Sequence, residues 1–117
     1  MLVVTRFVVD EEGPFVERAR LALATLAACP GYRDGRLSRA LDDPRYWCLV
    51  TDWESVGAYR RALSAFDVKV HASPLLAESM DEPSAYEVLA SAPPGGTVVT
   101  GVSDRAADPT GPLRSRS

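Results

Sequence analysis

The chain has 117 residues, 46% of them hydrophobic and 25% charged, with a formal net charge of −3. That suits one ordinary soluble domain with a single core. The acidic balance argues against a sequence-independent nucleic-acid surface, which needs a basic face.

No apolar run approaches the roughly 20 residues of a membrane span. The start, MLVVTRFVV, lacks the basic region and cleavage site of a signal peptide, so a cytoplasmic protein is expected. Cys29 and Cys48 are the only cysteines. They read as small buried hydrophobes in a reducing compartment.

In chain order, Leu2 to Val9 is a strand, with Val3, Thr5, Phe7 and Val9 on one face and Leu2, Val4, Arg6 and Val8 on the other. Arg6 stands either at a rim or in a pocket. Asp10 to Gly13 is a polar turn into a helix, and Pro14 fits the first helical turn. Phe15, Val16, Ala19, Ala22, Leu23 and Leu26 make the apolar face of that helix, while Leu21 points away from it, toward a possible partner chain. Pro30-Gly31 ends the helix. Tyr32 to Leu41 is a second strand, in which Gly35 marks a bulge or a close backbone approach. Asp42-Asp43-Pro44 turns the chain back.

Tyr46 to Trp53 is the central strand, apolar on both faces and so expected to be covered on both. Ser55 caps the next helix, whose stripe is Val56, Tyr59, Ala62, Leu63 and Phe66. A short helix or turn at Val68 to His71 follows, then a helix at Pro74 to Met80 and a last strand at Ser84 to Ala90. The order strand, helix, strand, strand, helix, strand gives an α+β, ferredoxin-like βαββαβ sandwich with an antiparallel sheet and helices on one face. The uncovered sheet face calls for a second copy, hence a homodimer. We divide the chain into a domain at 1–91 and a Pro/Gly/Ser-rich tail at 92–117, expected to be disordered, with 97–102 as an alternative edge strand.

The chemistry is sparse. His71 is the single histidine; it reads as a ligand or proton shuttle, or as a surface residue. One histidine and two distant cysteines give no zinc spacing, so no metal is expected. Tyr46, Trp47, Trp53, Tyr59 and Phe66 read either as packing or as a pocket wall for a planar ring. Arg39 and Arg6 could steady a phenolate or a carboxylate.

The element order, with Pro30-Gly31-Tyr32, Asp42-Asp43-Pro44, and Trp53-Glu54-Ser55 followed by Ala58-Tyr59-Arg60, resembles the antibiotic biosynthesis monooxygenase domain family. The resemblance covers about Met1 to Leu89. It implies the dimeric α/β barrel form of the fold and a pocket between sheet and helices for a small planar apolar molecule. It also implies oxidation of phenols or quinols by dioxygen with no cofactor. In that reading His71 and Arg39 are the catalytic candidates, and Thr5, Trp47, Trp53, Tyr59 and Phe66 the substrate-binding ones; the base is His71 or a water held by Thr5.

Two alternatives stand beside it: a non-catalytic ligand-binding dimer, and a haem-binding member. The related haem-degrading branch uses a histidine after the second helix, an asparagine on the first strand and a tryptophan in the second helix. His71 falls near the first position, but Thr5 and Ala62 stand at or near the other two.

Overall fold

Four strands and four helices are built from Met1 to Tyr86, in the computed structural model that describes residues 1–101. The strands are β1 (Leu2–Val8), β2 (Tyr32–Arg39), β3 (Tyr46–Trp53) and β4 (Ala85–Tyr86). Between them lie α1 (Glu12–Ala27), α2 (Val56–Ser64), α3 (Phe66–His71) and α4 (Ser73–Leu76). The sheet order is β2-β3-β1-β4, and every pairing is antiparallel. This is the ferredoxin-like α+β arrangement that the element order predicts.

Alternation decides which side of the sheet is core. On β1, Val3, Thr5 and Phe7 are buried, and on β3 Trp47, Leu49, Thr51 and Trp53 are buried. All seven face the helices. The helices meet them with Phe15, Ala19, Ala22 and Leu26 of α1, Ala58 and Ala62 of α2, Val68 of α3 and Leu75 of α4. Four of these are alanines, so the helices approach closely while the strands supply the volume.

Among the described residues of Met1 to Tyr86, no helix covers the opposite face. Leu2, Val4, Tyr46, Cys48 and Val50 are half-buried there, and Val8 is 50% exposed. The central strand, expected to be covered on both sides, is covered on one by its own helices.

Turn chemistry fixes the connections. Gly31 has φ +88°, a left-handed value that favours glycine. A Cβ at Gly31 would collide with the Cβ of Ala58. The Gly31 carbonyl also accepts from Glu54 N–H at 2.8 Å, tying the α1–β2 turn to the end of β3. Gly35 resolves to a close approach: a Cβ there would lie 2.8 Å from Leu23 Cδ1, and the register shift sits just before it, between Tyr32 and Asp34. Ser55 caps α2, its hydroxyl accepting from Ala58 N–H at 3.1 Å.

Several boundaries differ from the sequence expectation. β2 ends at Arg39, two residues before the expected end at Leu41, which is fully exposed in the loop. α4 stops at Leu76, because the chain beyond it is held elsewhere. Glu78 takes a bidentate pair from Arg18 at 2.7 and 3.0 Å, and Met80 N–H donates to the Arg6 carbonyl at 2.8 Å. β4 is two residues long, pairing Ala85 with Val3 and Tyr86 with Leu2.

From Glu87 the chain forms a separate unit. Within it β5 (Ala90–Ser91) pairs antiparallel with β6 (Val99–Thr100). The expected strand to Ala90 is therefore replaced, after Tyr86, by this short ribbon. Of the segment expected to be a disordered tail, 92–101 lies in this ribbon and its turn, while the remainder, 102–117, lies outside the described residues. Among the described residues no helix is long and apolar enough to cross a membrane.

Candidate functional site

The residues singled out in the sequence fall into three places. Trp53 lies at the end of β3, fully buried at 0% exposure, and its indole N–H donates to Thr51 Oγ1 at 2.8 Å. Its ring meets Tyr32 edge-on at 5.4 Å and Tyr59 at 5.5 Å. Burial raises the phenol pKa of Tyr59, so it stays protonated and can only donate or accept as a neutral hydroxyl. Thr5 is also buried on this side of the sheet.

Trp47 begins the same strand face, six residues earlier. At about 3.3 Å per residue the two indoles are separated by roughly 20 Å along β3, too far for one small ring to touch both. Trp47 instead joins Phe15 at 5.5 Å, and Phe15 joins Phe7 at 5.1 Å. The Arg39 guanidinium carbon lies 5.5 Å from the Trp47 ring centroid, because β2 and β3 pair Arg39 with Trp47.

Phe66 and His71 go elsewhere. The stripe predicted on α2 breaks at Ala65, whose ψ of 142° is extended. Phe66 therefore opens α3 and is 77% exposed. His71 is exposed at the last residue of α3, and lines none of the four grooves described next. The structure thus brings Arg39 to Trp47, and Trp53 to Tyr59, but does not bring His71 to Arg39.

Two grooves open where helix meets sheet. One, of about 450 Å³, is lined by Phe7, Val9, Pro14 and Phe15 with Asp10, Glu11, Glu78 and Arg18. Arg18 is already paired with Glu78, whose carboxyl it holds below the usual range, mainly by hydrogen bonding. Three carboxylates against one occupied guanidinium repel an anionic ligand.

The other groove, of about 520 Å³, runs between α1 and β2. Val16, Leu23, Leu37 and Trp47 form apolar walls, and Arg20, Arg39 and Glu12 supply the charge. Its size falls in the roughly 300–1,000 Å³ of small-molecule sites. Arg39 is paired with Glu12 at 2.9 Å, so Arg20 is the net positive charge, and it favours an anion. A smaller groove of about 220 Å³ lies on the open sheet face, lined by Arg6, Ser38, Tyr46 and Cys48, and again by Arg39 and Trp47. Arg6 itself is at a rim, paired bidentately with Glu82 at 2.7 Å. A fourth groove, of about 290 Å³, is lined by Cys29, Pro30, Phe66 and Val68.

Glu12, Arg20, Val16, Leu23 and Leu37 were not candidates from the sequence. Glu12 reads locally as an acidic helix start, and no local signal says that it meets Arg39, with Arg39 Nη1–H donating to Oε1 at 2.9 Å.

The haem alternative does not fit these positions. His71 is exposed on α3 between α2 and α4, Ala62 is buried core, and Thr5 lies under the helices. Among the described residues no cluster of three His, Cys, Asp or Glu could hold a metal ion.

Neither a protein-family model nor a curated protein sequence matches this chain. Solved structures do. A point variant of SnoaB, a cofactor-independent oxygenase from Streptomyces nogalater, matches at 29% identity over 68% of this chain and 82% of its own, with a TM-score of 0.60. The parent SnoaB structure matches at 24% identity over 92% of this chain and 95% of its own, TM-score 0.59. A structure described as an antibiotic biosynthesis monooxygenase matches at 15% identity over 90% of this chain and 100% of its own, TM-score 0.57. Across most of its length, this chain has the ferredoxin-like fold of the antibiotic biosynthesis monooxygenase structures.

Proposed function

We propose that this chain is a cofactor-independent monooxygenase of the SnoaB type, acting on a planar phenol or quinol held in the groove between α1 and β2. The observation that carries this reading is Arg39 at that groove: a guanidinium lying over the Trp47 ring beside walls of Val16, Leu23 and Leu37. The likeness to SnoaB, 29% identical over 68% of this chain, supports the reaction class.

The chemistry asked of the protein is modest. A guanidinium beside a bound phenol favours the phenolate, so the proton leaves more readily to solvent at the open groove. The electron-rich anion passes one electron to dioxygen, and the resulting pair recombines at a ring carbon as a peroxide. In a substrate with a ring methylene, loss of water then leaves a carbonyl. One oxygen atom enters the product. The other departs as water with the two methylene hydrogens, so no outside reductant is needed. Arg39 positions and stabilises the anion, and Val16, Leu23, Leu37 and Trp47 give the ring an apolar surface to lie against. His71 has no step in this scheme.

The test is oxygen uptake with anthrone-like and hydroquinone substrates, using protein stripped with a chelator. Uptake is expected, and Arg39→Ala should lower kcat/KM roughly tenfold or more, the scale of a lost charge-assisted hydrogen bond. No uptake with any substrate of the panel would contradict the reading.

We also propose that a second copy covers the open sheet face. Leu2, Val4, Val8, Tyr46, Cys48 and Val50 place apolar and aromatic groups on a face that no helix among the described residues covers. Sedimentation is expected to give the mass of two 12.6 kDa chains. Val50→Asp should shift it to the mass of one.

A further inference from the structure

The geometry points to Glu12 as an internal stand-in for the ligand: a side chain that occupies the anion position at Arg39 until an aromatic anion displaces it. This deepens the reading above and rests on its placement of the ligand at Arg39.

Three observations converge on it. First, Trp47 is 8% exposed, yet its indole Nε1–H has no hydrogen-bond partner among the described residues. It is also the one buried side-chain nitrogen or oxygen there left without a partner. Buried donors are normally paired, and an orphan calls for an explanation. By contrast, the other indole, Trp53, is paired with Thr51. Second, the unpaired indole lines the groove whose remaining walls are Val16, Leu23 and Leu37. Third, the guanidinium over that indole is held by a carboxylate from another element, Arg39 Nη1–H to Glu12 Oε1 at 2.9 Å.

The Arg39–Glu12 pair is half exposed on both sides, at 46% and 57%. Such pairs are weak and exchange partners easily. A ligand carrying a carboxylate or phenolate on an aromatic ring offers Arg39 the same acceptor. It also brings a ring to the apolar walls, and its oxygen supplies the acceptor that the Trp47 N–H lacks among the described residues, once side-chain movements expose that N–H. Glu12 offers neither of these. The site therefore selects aromatic anions over neutral aromatics and over small inorganic anions, and Glu12 sets the threshold. Arg20, on the same groove, adds to the attraction without a paired carboxylate among the described residues.

The test uses 2-naphthoate, with naphthalene-2-methanol as its neutral counterpart, and reads binding by calorimetry under argon so that turnover plays no part. Wild type is expected to bind the naphthoate and to bind the alcohol at least tenfold more weakly, the scale of one charge-assisted hydrogen bond. Glu12→Gln, exposed and compatible with the fold, should tighten naphthoate binding severalfold, because the competing charge is gone. Arg39→Ala should loosen it roughly tenfold. Trp47→Phe, which keeps a ring and drops the N–H, should loosen it severalfold. Equal binding of naphthoate and alcohol, or looser naphthoate binding in Glu12→Gln, would overturn the inference. Naphthoate binding that follows these expectations, with no oxygen uptake on any phenol, would leave the inference standing and remove the oxygenase reading.

Discussion

Trp53→Ala is expected to destabilise the fold by about 3–5 kcal/mol, the range for emptying a buried aromatic position. Trp53 is fully buried, contacts Tyr32 and Tyr59 at 5.4 and 5.5 Å, and closes an indole-to-hydroxyl hydrogen bond with Thr51. Alanine leaves a cavity at the end of the central strand and strands the Thr51 hydroxyl. Small domains hold only about 5–15 kcal/mol in total, so the variant should unfold at a much lower denaturant midpoint. Chemical denaturation followed by circular dichroism measures it. The size of the effect also means that loss of turnover in Trp53→Ala would not isolate a catalytic role. Trp53→Phe, which keeps most of the volume, is the variant for that question. A loss of under 1 kcal/mol in Trp53→Ala would show that the helix-covered face is not packed as described.

Gly31→Val is the second large effect. The left-handed backbone at φ +88° penalises any L side chain by about 1–2 kcal/mol. The added carbons also run into Ala58 on α2, and overpacking of this kind typically adds about 1–3 kcal/mol. Together a loss of roughly 2–5 kcal/mol is expected. Gly31 joins α1 to β2 and accepts from Glu54, so strain there moves the start of α2 with it. Pairing the substitution with Ala58→Gly should recover part of the loss by removing the collision but not the backbone cost. Full recovery would mean that the backbone conformation costs nothing; no recovery would mean that the collision is not the cause.

The helix-covered face was legible because a strand's alternation states directly which side chains share a side. Val3, Thr5 and Phe7 group by counting on β1; on β3 both faces are apolar in sequence, and burial alone picks out Trp47, Leu49, Thr51 and Trp53. The aromatic stripe on α2 was legible only as far as the helix runs. Phe66 satisfies the helical angle, but a single extended residue, Ala65, resets the phase and sends it into solvent. Nothing in the residue identity of Ala65 signals that break. Likewise the alternation after Ser84 gives faces but no partner, and only Ala85 and Tyr86 pair with β1.

The candidate site was legible in its residue types and not in its grouping. Arg39 and Trp47 come together through the β2–β3 register, which the hairpin turn at Asp42-Asp43-Pro44 fixes. Trp47 and Trp53 share a face but stand at opposite ends of it. Glu12 reaches Arg39 only because α1 packs across β2, a tertiary placement that no spacing in the chain encodes.

Oxygen isotope labelling tests the central claim most directly. Protein freed of metal and supplied with an anthrone-type substrate under labelled dioxygen should place one labelled oxygen in the new carbonyl and the other in water, when product is recovered before carbonyl exchange. Product oxygen drawn from the solvent, or oxidation that proceeds only after a metal or haem is returned, would contradict the account.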